Sequence, residues 1–68
     1  MNVGAAIRSI RKERGMSQVE LAGKVHITQS MLCQIERGTK APSLPLSTEI
    51  ADALNCTLND IVNGAAEA

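Results

Sequence analysis

The sequence predicts an all-α fold, a compact bundle of five short helices in one domain spanning residues 1–68. Three observations carry this. Apolar residues recur at three- and four-residue spacing in five separate segments. Residues that cap helices, namely Asn2, Ser17, Thr28 and Thr57, stand at the heads of four of them. No segment reads as a strand.

In the first segment Asn2 precedes Val3, Ala6, Ile7, Ile10 and Arg14 at helical spacing, and Gly15 ends the run with Met16 placed to fold back over the last turn. Ser17-Gln18-Val19-Glu20 has the spacing of a capping box, in which Ser and Glu satisfy free N–H groups reciprocally. Leu21, Ala22 and Val25 form the inner stripe of that second helix, and His26-Ile27 a short turn. Thr28 caps a third helix, Gln29 to Arg37, with Leu32 and Ile35 inward and Gly38 as its stop. Gly38 to Ser43 reads as a loop. The fourth helix carries Leu46, Ile50, Ala51, Ala53 and Leu54, with Pro45 tolerated only in its first turn. Thr57 to Asp60 is a second capping pattern, opening a short fifth helix with Leu58, Ile61 and Val62, and residues 64–68 read as a frayed tail.

Size limits what such a bundle can do. Sixty-eight residues without Phe, Tyr or Trp leave an aliphatic core, and a core of this size supplies only roughly 3–5 kcal/mol. Two cysteines and one histidine fall short of the four ligands of a structural zinc site, so no cofactor is expected. The chain carries no secretory leader and no long apolar run, so it reads as cytoplasmic with reduced thiols and no membrane partner. A partner subunit is the remaining stabiliser. Leu44, Leu46, Leu58, Ile61 and Val62 are too many apolar side chains for one small bundle to bury, so Leu46, Leu58, Ile61 and Val62 are the expected homodimer interface.

The segment from Gln18 to Glu36 carries the functional signal. Two helices joined by so few residues must cross steeply, which is helix-turn-helix geometry. The crossing needs a small residue at the contact, Ala22, and a residue able to take positive φ in the turn, His26. The outer face of the third helix is then Gln29, Ser30, Cys33, Gln34 and Arg37, polar, amide-rich and free of acids. A Gln amide offers one donor and one acceptor, matching N6 and N7 of adenine in the major groove. A helical miniprotein with a Gln-rich surface is the bland alternative.

Charge agrees with the sharper reading. The net charge is zero, but residues 1–40 hold seven cations against three acids and residues 41–68 hold four acids and no cation. A basic half is the footprint of a phosphate-binding face, although a merely solvated pattern would look the same. An enzyme would need a poised acid, base or nucleophile in a cleft; the chain has one His and no nucleophile elbow, phosphate loop or metal cluster.

The sequence resembles the phage-repressor and Cro-like, or xenobiotic-response-element, family. The matching runs are Ile7-x-x-Ile10-Arg11-Lys12-Glu13-x-Gly15-Met16-Ser17-Gln18-x-Glu20-Leu21-Ala22, Ile27-Thr28-Gln29-Ser30-x-Leu32-x-Gln34-Ile35-Glu36-Arg37-Gly38, Pro42-Ser43-Leu44 and Ile50-Ala51-x-Ala53-Leu54-Asn55. The resemblance implies a lambda-repressor-like five-helix domain that binds double-stranded DNA as a dimer on a near-palindromic operator. It implies that Gln29, Ser30 and Gln34 face base edges, with Cys33 beside them, and that Gln18, Arg37, Lys40 and Lys24 contact phosphates. It implies a partly buried ion pair between Arg11 and Glu36. The small size argues against a separate inducer domain, and suits a repressor or controller of a mobile-element, restriction-modification or toxin-antitoxin operon. Three positions depart from the pattern. His26 stands where the family often has Gly. Cys33 faces outward on the third helix, where contact with a thymine methyl, a redox role and a plain surface role all stay open. Ser47 stands where the family buries Leu and Leu46 where it is polar, so either the fourth helix is rotated or Ser47 bonds back to a carbonyl one turn earlier. Cys56 matches a buried apolar position. The alternative function is a protein-interaction module on the same scaffold.

Overall fold

Hydroxyl caps set where the helices start. The structure, a computed structural model, describes the backbone of residues 3–67 and the side chains of residues 3–62. Helix α1 spans Val3–Glu13, and the expected Asn2 cap lies outside the described residues. Gly15 takes φ 66°, and Met16 N–H donates to the Arg11 carbonyl at 3.1 Å, closing α1 as the sequence suggests. Helix α2 is Gln18–Lys24. Ser17 Oγ accepts from Glu20 N–H at 3.1 Å, and Glu20 Oε1 accepts from Ser17 N–H at 3.2 Å, the reciprocal capping box. Helix α3 is Gln29–Arg37, with Thr28 Oγ1 accepting from Met31 N–H at 3.0 Å and Gly38 at φ 85° closing it.

Helix α4 spans Leu44–Ala53. Its cap is Ser43, whose hydroxyl accepts from Leu46 N–H at 3.2 Å, so the residue read as the end of a loop also caps the helix that follows. Pro45 sits in the first turn, where no N–H is needed. Asn55 at φ 57° turns the chain out of α4, and Cys56 N–H returns to the Ala51 carbonyl at 2.9 Å. Helix α5 is Leu58–Glu67. Thr57 Oγ1 accepts from Asp60 N–H at 3.1 Å, and Asp60 Oδ2 accepts from Thr57 N–H at 2.9 Å. The Thr57 backbone N–H, with the Thr57 hydroxyl, holds the Asp60 carboxyl below its ordinary pKa. The helix continues through Gly64 to Glu67 where a frayed tail is expected. A glycine interrupts a helix by only about 1 kcal/mol, and the following Ala65 and Ala66 favour it.

Helix α1 packs on α3 and α5, α2 on α3 and α4, and α4 on α5. Ile7, Leu21, Leu32, Ile35, Ile50, Leu54 and Ile61 are fully buried between them. Leu46 and Ser47 both point inward. The question of register in α4 resolves through the backbone: Ser47 Oγ donates to the Ser43 carbonyl at 2.9 Å, so the hydroxyl is buried with its bond made and the helix need not rotate. Arg14 adds a tie the sequence does not announce. Its Nε donates to the Leu54 carbonyl at 2.9 Å, so the end of α1 satisfies an orphan acceptor at the end of α4.

Candidate nucleic-acid interface

Helices α2 and α3 pack together, Ala22 of α2 is buried, and the chain turns between them at His26. His26 has φ 59°, the left-handed conformation that the crossing demands, and Ile27 N–H closes the turn on the Ala22 carbonyl at 3.0 Å. A non-glycine residue accepts this geometry at a cost of order 1 kcal/mol. One side of α3 is left open. Gln29, Ser30 and Gln34 are exposed there and Cys33 is half-buried. Together with Gln18 and Arg37 they line a shallow depression of about 380 Å³ that contains no acid. Six of the residues expected to meet DNA are thus on one continuous surface.

The remaining two cations fall elsewhere. Lys40 is exposed on the α3–α4 loop, and shares with Arg37 a neighbouring groove. Lys24 borders a depression with Glu49, Asp52 and Ala53 of α4. Its neighbours are carboxylates, which a DNA phosphate would meet unfavourably, so the structure separates Lys24 from the surface that gathers the other candidates.

One carboxylate holds the three amino-terminal helices together. Arg11 Nε and Nη2 donate to Glu36 Oε2 and Oε1 at 2.8 and 3.0 Å, a two-pronged pair between α1 and α3. The Arg11 side chain is 9% exposed and that of Glu36 2%. Arg11 Nη1 also donates to the Met16 carbonyl at 2.8 Å, and Gln18 Nε2 donates to Glu36 Oε1 at 3.0 Å. The bond to Glu36 raises the Arg11 pKa further above its ordinary value. Gln18 therefore has a role the sequence does not reveal. One of its amide hydrogens is held by Glu36 inside the bundle.

The expected dimer interface is corrected in part. Leu46 is 8% exposed and Ile61 fully buried, so both belong to the core of a single chain. The bundle absorbs them because Ser47 frees α4 to turn a broad face inward, and because α5 lies along α1. Leu44 at 68% and Val62 at 41% exposure remain outside, with Leu58 half-buried. These three line an open groove of about 620 Å³, floored by Ile35 and Ile61 and edged by Arg37 and Lys40. Cys56 is half-buried against the core, and burial, with Asp60 close by, pushes its thiol pKa up.

Gly4 is another residue that the sequence pattern passes over. A Cβ there would run into the carbonyl oxygen of Ile35 and lie 2.9 Å from that of Glu36. The missing side chain lets α1 approach the last turn of α3, and so sets the distance over which Arg11 reaches Glu36. Its only sequence signal is its place three residues before Ile7 on the inward stripe.

Comparison with known proteins bears on this surface. A family model described as helix-turn-helix matches residues 7–61. The immunity repressor protein of Bacillus phage phi105 is 44% identical over 62 residues, covering 91% of this chain and 43% of its own length, so the chain spans less than half of that relative. The clp gene regulator ClgR from C. glutamicum superposes with a TM-score of 0.92 at 34% identity, over 96% of this chain and 84% of that one. The solution structure of the DNA-binding domain of the P22 c2 repressor gives a TM-score of 0.90 at 25% identity, over 94% of this chain and 84% of that one. Among the described residues no helix is long and apolar enough to cross a membrane.

Proposed function

The chain belongs to the Cro/C1-type helix-turn-helix family of DNA-binding transcriptional regulators, and from that membership we propose that it binds double-stranded DNA sequence-specifically with α3 in the major groove. The observation that carries the proposal is the acid-free outer face of α3, where Gln29, Ser30 and Gln34 are exposed beside Arg37. Gln29 and Gln34 read base edges through their amides, while Arg37, Lys40 and the second amide hydrogen of Gln18 hold phosphates. The output is repression, the role named for the phage phi105 relative, and the regulated genes belong to a mobile-element, restriction-modification or toxin-antitoxin operon.

The test is selection of an operator from a random duplex library, followed by two variants. Gln29→Ala is expected to lose ~1–3 kcal/mol at one operator position and to relax the preference there. Lys40→Ala is expected to weaken every duplex alike and to lower the slope of log affinity against log salt by about one. Uniform losses from both variants would remove Gln29 from base readout.

The same reading extends to a dimer. Leu44, Leu58 and Val62 form an apolar edge on the half of the chain that has no cations, in a groove whose rim Arg37 and Lys40 complete. A two-fold contact there sets two α3 helices one DNA turn apart, roughly 34–36 Å, and requires a near-palindromic operator. Sedimentation with a two-half-site duplex is expected to give two chains per duplex. Leu44→Glu changes a side chain already in solvent, so the fold is spared while the second chain is lost. One chain per duplex in the parent would end the dimer proposal.

A further inference from the structure

We propose that a cleft between α1 and α3, edged by Arg8, Gln18 and Arg37, seats one phosphate group of bound DNA, with Arg8 as its contact from α1. The proposal rests on the DNA-binding reading above and adds to it a third helix that touches the duplex. The cleft is about 420 Å³ and is lined by Arg8, Gln18, Cys33, Glu36 and Arg37. Its only acid is Glu36, and that carboxylate is already satisfied: Oε2 takes Arg11 Nε, and Oε1 takes both Arg11 Nη2 and Gln18 Nε2. The floor is therefore electrically neutral. The rim holds the two guanidinium groups of Arg8 and Arg37, both exposed.

Nothing on α1 offsets Arg8. The ion pairs among the described residues are Arg11 with Glu36 and Arg14 with Glu13. One turn either side of Arg8 stand Gly4, Ala5, Arg11 and Lys12, none of them acidic. A cleft with two free guanidiniums over a neutral floor selects an anion, and planar forked donors suit the oxygens of a phosphate. The cleft also shares Gln18, Cys33 and Arg37 with the depression that holds Gln29 and Gln34. A phosphate seated in it is thus adjacent to the bases that α3 reads, which favours a diester of the duplex over a free ion.

The experiment compares the parent, Arg8→Gln and Arg8→Lys on the selected operator and on an unrelated duplex, across a salt series, with thermal melting as the control for folding. Arg8→Gln is expected to melt like the parent and to lose about eightfold in affinity at 0.1 M salt on both duplexes, with the salt slope lower by about one. Ethylation interference is expected to lose one phosphate from the parent's footprint in Arg8→Gln, and Arg8→Lys is expected to keep the parent's slope. Parental affinity and slope in Arg8→Gln, or a charge-retaining Arg8→Lys that behaves like Arg8→Gln, would overturn the assignment while leaving DNA binding intact. Inorganic phosphate titrated against the Arg8 and Gln18 side-chain N–H resonances is the second arm. Saturation there at millimolar phosphate, with an unchanged DNA footprint in Arg8→Gln, would assign the cleft to a free anion and also overturn it. A parent chain without salt-dependent affinity for any duplex would remove the DNA-binding reading and this site together.

Discussion

Arg11→Ala is expected to lose roughly 3–5 kcal/mol of stability, enough to unfold most of the protein at ambient temperature. The substitution strands Glu36, whose side chain is 2% exposed, with one neutral amide from Gln18 in place of a two-pronged guanidinium. It also frees the Met16 carbonyl that Arg11 Nη1 holds. Surface ion pairs contribute little because water screens them, but here both partners are below a tenth exposed and the larger figure applies. Arg11→Lys is expected to recover only part of the loss, since one ammonium cannot serve both Glu36 oxygens and the Met16 carbonyl in fixed geometry. Replacing both partners with apolar residues of similar volume is expected to recover more, because no charge is then left buried. Urea unfolding followed by far-UV circular dichroism measures all three. An Arg11→Ala midpoint close to the parent's would mean that solvent reaches Glu36 freely.

Gly4→Ala is expected to destabilise, against the ordinary rule for helices. In an open helical position the exchange adds about 1 kcal/mol, because Ala orders more cheaply than Gly. At Gly4 the new methyl meets the Ile35 and Glu36 carbonyls, which are backbone atoms and cannot swing aside. The Ile35 carbonyl is further fixed by the Gly38 N–H at 3.1 Å. Helix α1 must then move off α3, with a net loss of about 1–3 kcal/mol and a longer reach from Arg11 to Glu36. Gly23→Ala is the matched control: it lies within α2, nothing stands within 4 Å of its added Cβ, and a gain of up to about 1 kcal/mol is expected. Melting shifts of opposite sign in the two variants would support the close approach; two gains would exclude it.

What could be read beforehand was local. Ser17, Thr28 and Thr57 cap their own helices with their own hydroxyls, and Gly15 and Gly38 stop theirs, so a few adjacent residues contain the whole reason. The turn at His26 was legible because two helices so close in sequence leave no other conformation. The gathering of Gln29, Ser30, Cys33 and Gln34 followed from the period of α3 alone. What was not legible arrives from far along the chain. Gly4 looks like a weak helix residue until the end of α3 is laid against it. Arg14 acquires Leu54 from 40 positions away. Ile61 reads as part of a dimer interface until it is seen buried where α5 packs on α1, and the two carboxylates that α4 sets beside Lys24 are not visible from its place at the end of α2. Gln18 illustrates both cases, since its place at the head of α2 was evident and its bond to Glu36 was not.

The packing of α1 on α5 also fixes the order in which this chain can acquire its structure. Helix α1 finds its main partners in the third helix and the fifth. Ile7 and Ile61 are buried in one core, and closing the span between them costs roughly 3–4 kcal/mol in chain entropy. Helices α2 and α3 can pair early through a short turn, but the pair is open on the side that α1 covers. Commitment therefore waits until nearly the whole domain is free, and structure then forms in one cooperative step. Amide hydrogens in α1 should exchange only when the entire domain opens, at the same rate as those in α5 around Ile61.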